Sequence, residues 1–186
     1  MPPTRTSSRK SSQSTQLTLT GKLVYATSGQ GGATKRVYTD VVLTIKPEFV
    51  KLLAERTKNH EYRKYKLRET VERVWLYETA PTMALTHVIN VGAPRVPGEV
   101  KDPSGIGNDD FDAGKKVSKY GYPVQGMYRL PQSLSSAAMK ERYGFGPPQG
   151  YMYAPENLVK GEPIDFMEAL YSVVRLAPFV ITLTLF

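Results

Sequence analysis

The chain has no cysteine, only two histidines, His60 and His87, and a single tryptophan. Without cysteine there can be no disulfide, no thiol nucleophile and no cysteine-containing zinc site. Two histidines 27 positions apart leave little material for a histidine metal centre or a serine–histidine triad. The expected role of each is a hydrogen-bonded strand residue. Residues 1–36 hold six cations (Arg5, Arg9, Lys10, Lys22, Lys35 and Arg36) and no Asp or Glu. Removing those six from the net charge of +8 leaves +2 for the remainder, so the basic character sits mainly at the head. That bias is compatible with a nucleic-acid partner without demanding one. The longest charge-free apolar stretch near the end, after Arg175, is eleven residues, short of the ~20 needed to cross a bilayer. No membrane association is expected.

At 186 residues with 40% hydrophobic content, the chain has room for one domain with an appendage and a real core. Three segments are expected. Residues 1–36 form a Ser- and Thr-rich head that buries too little apolar surface to offset chain entropy and is expected to be largely disordered. It lacks the apolar stripe of a transit peptide and no secretory signal precedes it, so an intracellular site, nuclear or cytoplasmic, is expected. Residues 37–160 carry the folded domain. Residues 161–186 are an apolar ending whose packing the sequence leaves open between a buried helix from Ile164 followed by a core strand at Phe179–Phe186 and a tail that is not part of the domain.

Within the domain, Val37 to Ile45 alternates and is β-branched, which predicts a strand. Lys46-Pro47-Glu48 then opens a helix, with proline at the first helical position and an acid at the positive end of the dipole. Phe49, Val50, Leu52 and Leu53 supply its buried face. Further strands are predicted over Val71–Glu78, Leu85–Val91, Tyr122–Leu130 and Gln149–Tyr153, with a short helix over Ser133–Tyr143 and a long loop over Pro97–Gly121. In the Val71–Glu78 strand both faces are apolar, Val74 and Leu76 on one and Trp75 and Tyr77 on the other.

The most informative stretch is Lys58-Asn59-His60-Glu61-Tyr62-Arg63-Lys64-Tyr65, which alternates as a strand and places Glu61, Arg63 and Tyr65 on one face. Two cations, a carboxylate and a ring suit a nucleotide or modified base: cations attract phosphate, the carboxylate accepts from base N–H groups and the ring stacks. The plain alternative is a solvated face held by a Glu61–Arg63 or Glu61–Lys58 ion pair. Two other motifs fail. Gly105-Ile106-Gly107 lacks the flanking strand and helix of a dinucleotide fingerprint. The acidic run Asn108–Asp112 has Ala113 where a calcium loop wants glycine and Lys119 where it wants glutamate. No metal site and no cofactor are expected.

The order of strand, Lys46-Pro47, short helix, Lys58-x-x-Glu61-x-Arg63 and then Trp75-Leu76-Tyr77-Glu78-Thr79 ahead of a proline resembles the ASCH domain family of the PUA-like superfamily. Lys58, Glu61 and Arg63 match the last three fixed positions of that family's motif, and Arg56 stands at its glycine. The resemblance covers about Val37 to Val159. It implies an α+β fold, a small PUA-like curved β-barrel with short flanking helices. It also implies binding of RNA or modified nucleobases in a cleft lined by Lys58, Glu61 and Arg63. Lys46, Tyr77 and Thr79 are added to the cleft wall from their places in the pattern. Tyr65, Tyr77 or Trp75 is the expected stacking face, although a lone tryptophan on a central strand more often belongs to the core.

Some members of the family resemble amidohydrolases acting on acylated cytidines. Lys58 stands at their lysine, while Glu61 replaces their threonine nucleophile. A hydrolase reading would make Glu61 a general base for water and Lys58 an electrostatic stabiliser. A third class is a protein-interaction module whose basic head binds nucleic acid. RNA or a nucleotide is the expected partner under the first reading.

Overall fold

The computed structural model describes residues 15–17, 23–25 and 35–172, and the chain divides into two units, Met1–Ala33 and Thr34–Phe186. In the first, β1 (Thr15–Leu17) pairs antiparallel with β2 (Leu23–Tyr25). Most of the head expected to be disordered lies outside the described residues, as does Phe179–Phe186.

The second unit is a mixed sheet curled into a half-barrel. It begins with β3 (Arg36–Ile45), so the last residue assigned to the head opens the first long strand. Then come α1 (Pro47–Ala54), β4 (His60–Arg63), β5 (Arg73–Glu78) and β6 (Ala84–Val91). A loop with one helical turn, α2 (Asn108–Asp112), leads to β7 (Tyr120–Ser135). The unit closes with α3 (Ser136–Tyr143), β8 (Tyr151–Pro155), α4 (Glu156–Gly161), a 3-10 turn at Ile164–Phe166 and β9 (Glu168–Ser172).

The sheet order is β4-β7-β6-β5-β3-β8, with β9 on β7. Only β3 and β5 run parallel, linked through α1 and β4. The curl comes from β7. Its first residues pair with β4, from Tyr120 opposite Arg63 to Pro123 opposite His60, and the rest pairs with β6. Register breaks along the β6–β7 ladder, between Leu85 and His87 and between Asn90 and Val91, bend the ribbon as bulges do.

β5 is a central strand, hydrogen-bonded to β3 and β6 on its edges, and a core layer packs on each of its faces, which explains why both are apolar. Val74 and Leu76 join Val41, Leu43, Ile45, Val50, Leu53, Ile89 and Met127 in one core layer. Trp75 and Tyr77 join Val42, Leu85, Leu134, Met139 and Leu158 in the other. A buried Asp40 anchors the second layer, accepting from Trp75 Nε1 at 2.9 Å, Thr39 Oγ1 at 2.6 Å and the Arg73 guanidinium at 2.8 Å. In α3 the Ser135 hydroxyl accepts from Ala138 N–H and Gly144, at φ +72°, ends the helix.

Two expectations need correcting. Ile164 does not start a buried helix: a 3-10 turn leads into β9, which adds to β7. Phe49 is not on the buried face of α1: Val50 and Leu53 are, and Phe49 is 38% exposed. No helix among the described residues is long and apolar enough to cross a membrane.

Candidate functional site

The site starts from the α1 end and its exit. Pro47 at the first helical position and Lys46 in extended backbone before it turn the chain sharply off β3. At the far end Arg56 adopts φ +60°, the left-handed conformation that glycine takes without cost. An arginine at the motif's glycine position thus adopts a backbone conformation that favours glycine. Arg56 lies over the Tyr171 ring, 5.1 Å from its centroid, a contact that offsets part of the strain. Lys58 N–H then bonds back to Leu52 carbonyl at 3.0 Å, fixing where β4 begins.

Alternation on β4 directs Glu61 and Arg63 to one side. Glu61 bridges two cations, with Oε2 at 2.5 Å from Lys58 Nζ and Oε1 at 2.7 Å from an Arg63 terminal nitrogen. Lys58 Nζ also donates to His60 carbonyl, and Arg63 donates to Thr44 carbonyl at 3.3 Å. Lys58 and Glu61 are 7% and 6% exposed. This is a sheltered relay rather than a solvated surface pair. Burial holds the Lys58 ammonium below its ordinary pKa, against the opposing pull of Glu61. Arg63 Nε is buried with no partner among the described residues.

These side chains face a cleft of about 330 Å³ lined by Thr44, Ile45, Lys46, Phe49, Lys58, Glu61, Tyr62, Arg63, Lys116 and Ser118. The structure thus brings Lys46, Lys58, Glu61 and Arg63 together, as the sequence pattern expects. Thr79 contributes only through its backbone: its N–H holds Ile45 carbonyl at 2.9 Å, steadying the cleft edge. Tyr77 is not in the wall. It shares the opposite strand face with Trp75, is buried in the second core layer and meets Ser136 Oγ at 2.7 Å. Tyr65 lies beyond the end of β4, against Arg63 and stacked on Tyr151 at 4.7 Å.

Six wall residues escaped the sequence reading: Thr44, Ile45, Phe49, Tyr62, Lys116 and Ser118. The last two arrive on the long loop, which packs onto β4 through a buried polar network. Tyr62 hydroxyl donates to Asn108 Oδ1 at 2.5 Å, and Asn108 Nδ2 donates to Asn59 Oδ1 at 2.9 Å and to Asp102 carbonyl at 2.7 Å. Asn59 Nδ2 donates to Asp102 Oδ2 at 2.7 Å, and His60 Nδ1 meets Asn59 Oδ1 at 2.8 Å. Phe111, fully buried, packs on the Tyr62 ring at 4.6 Å. Lys116 Nζ is carried to 4.5 Å from the Tyr62 centroid, opposite Lys58 at 5.4 Å. Gly107 makes room for it, since a Cβ there would come within 2.2 Å of Lys116 Nζ.

The acidic run on this loop is structural. Asp112 accepts backbone N–H groups of Gly98, Val100 and Lys101 at 3.0, 3.2 and 2.7 Å. Among the described residues no group of three His, Asp or Glu could hold a metal.

No family model and no curated protein sequence matches the chain. Solved structures do. The ASCH protein of Zymomonas mobilis aligns at TM-score 0.51 and 18% identity, over 67% of this chain and 96% of that one. Two mutant forms of it, a tyrosine-to-phenylalanine and a serine-to-alanine protein, align at TM-scores 0.54 and 0.53. Their identities are 16% and 17%, over 70% and 68% of this chain and 99% and 96% of theirs. The chain has the fold of these ASCH-domain structures, a curved α+β half-barrel.

Proposed function

We propose that the cleft binds a nucleotide unit of RNA, or a modified nucleobase carrying its phosphate. The observation that carries this is charge. Four cations, Lys46, Lys58, Arg63 and Lys116, face the cleft with Glu61 as the one carboxylate among its lining residues. Lys116 has no carboxylate partner among the described residues, and Lys46 is exposed with only a 3.5 Å contact to Glu48. Both are free to meet a phosphate at the mouth. Deeper in, the relay holds Arg63 and Lys58 still, so that spare donors meet a base carbonyl without further ordering. Each oxygen of Glu61 keeps a second lone pair for an exocyclic amine. Phe49, half-exposed at the rim, offers an apolar face for the base. The volume suits a small ligand.

Hydrolysis has less behind it than binding: Glu61 is the one carboxylate among the lining residues, no histidine lines the cleft, and Glu61 is held as a structural partner of Lys58 and Arg63. Calorimetric titration with the four nucleoside monophosphates tests the reading. Binding in the micromolar to millimolar range that weakens in Lys116→Ala supports it. No heat from any nucleotide, or affinity indifferent to Lys116, contradicts it.

A further inference from the structure

Beside Arg63 of the cleft begins a run of tyrosines whose outer end neither the fold nor the proposed site accounts for. Strand β8 is the last strand in the sheet order, and among the described residues its outer edge has no neighbour. Its register places Tyr151 opposite Leu43 and Tyr153 opposite Val41, and Gly150 carbonyl accepts from Thr44 N–H, a residue of the cleft wall. Tyr65, beside Arg63 of the cleft, stacks on Tyr151. Tyr151 meets Tyr153 edge-on at 6.0 Å, and Tyr153 meets Tyr38 edge-on at 4.9 Å. Arg68 caps the far end, 4.5 Å above the Tyr38 ring and 5.5 Å from that of Tyr153.

The inner rings help close the core rim, but that role does not explain the outer end. Tyr38 is 50% exposed and Arg68 is exposed with no carboxylate partner among the described residues. An exposed ring beneath an exposed guanidinium on an uncovered sheet edge gains little stability. It is, however, the combination on which unpaired bases stack: an aromatic face with an adjacent arginine plane and a positive charge for the backbone. From Tyr38 to Leu43, the residue opposite Tyr151, five steps along β3 at about 3.3 Å each set the length of the ladder at about 16 Å. That is room for two or three nucleotides of an extended strand.

We infer that a single-stranded RNA segment leaves the cleft and runs along this ladder, past Tyr65, Tyr151 and Tyr153 to Tyr38 and Arg68. The inference rests on the cleft reading and adds the substrate class, a single strand rather than a free nucleotide. A duplex does not fit, because its bases are not available to the rings. The ladder also predicts tolerance of sequence along the flank, since stacking uses the π-face that every base has.

The test compares a fluorescein-labelled uridine decamer with uridine monophosphate, in the full chain at 150 mM salt. Tyr38→Ala and Arg68→Ala, both at exposed positions, are expected to weaken decamer binding about fivefold to tenfold each and leave the monophosphate unchanged. Tyr38→Phe keeps the ring and is expected to retain wild-type affinity; Arg68→Lys keeps the charge but not the plane and is expected to recover only part. Lys116→Ala weakens both ligands. Decamer affinity no better than the monophosphate, or unaffected in Tyr38→Ala and Arg68→Ala, overturns the ladder and leaves the cleft standing. Decamer binding that depends on the ladder but not on Lys116, with no monophosphate binding, overturns the cleft and with it the path proposed here.

Discussion

Lys58 Nζ and Glu61 Oε2 lie 2.5 Å apart in a pocket where both residues are more than nine-tenths buried, and Arg63 holds the other oxygen of the same carboxylate. One acid thus neutralises one cation fully and half-engages a second. The relay as a whole stays positive, which is why it can be sheltered and still attract an anion.

That arrangement makes the carboxylate the most costly member to lose. Glu61→Gln leaves two cations buried without a charge partner and is expected to cost about 3 kcal/mol. Lys58→Met leaves the Glu61–Arg63 pair intact, fills the same space with an apolar stem and is expected to cost less, about 1–2 kcal/mol. Urea denaturation checks the asymmetry. Equal costs would show that Arg63 does not depend on Glu61.

The mouth residues behave differently because they are not part of the relay. Lys116→Ala and Lys46→Ala are expected to change stability by less than about 0.5 kcal/mol. Each is expected to flatten the dependence of RNA affinity on salt concentration by about one phosphate contact. Affinity measured between 50 and 300 mM salt reads the slope, and an unchanged slope in both variants would mean that neither cation meets a phosphate.

Loop placement is a separate claim. Asn108 is 1% exposed and joins Tyr62, Asn59 and Asp102. Asn108→Ala orphans the Tyr62 hydroxyl and is expected to cost about 2 kcal/mol. It is also expected to raise amide exchange across residues 97–119 and to weaken nucleotide binding, although Asn108 does not line the cleft. Exchange that rises with affinity unchanged would separate the loop from the site.

His60 supplies the pH dependence. Burial first, then the nearby Arg95 charge, lowers its pKa from 6.5 to about 4. The unfolded chain therefore takes up a proton from about pH 6.5 downward that the folded chain refuses until about pH 4. Stability from this group is intact above pH 6.5 and falls as pH drops across that window. A proton NMR titration showing His60 neutral at pH 5, with stability lower at pH 4.5 than at pH 7, is the expected result. A His60 midpoint near 6.5 would contradict it.

Much of the first half of the domain is legible in the sequence because local rules agree there. Alternation marks β3, Pro47 marks the start of α1, and Lys58, Glu61 and Arg63 fall on an alternating strand where period-two geometry gathers the acid and the arginine. The parity of β5 is not legible. A central strand with two apolar faces does not reveal which one turns toward the cleft, and Tyr77 lies on the face that turns away from it. Lys116 and Ser118 are hidden for another reason. They reach the cleft through a polar network between Asn108, Asn59 and Tyr62, a tertiary contact with no periodicity to betray it. The segment after Ile164 reads as helical from its apolar content, yet its backbone groups are satisfied by pairing with β7.

A crystal of the protein soaked with a nucleoside monophosphate puts the proposed cleft to the test. Phosphate density is expected within hydrogen-bond distance of Lys116 or Arg63, with the base between Phe49 and the Lys58–Glu61 pair. A nucleotide bound elsewhere, with this cleft left empty at saturating concentration, would contradict it.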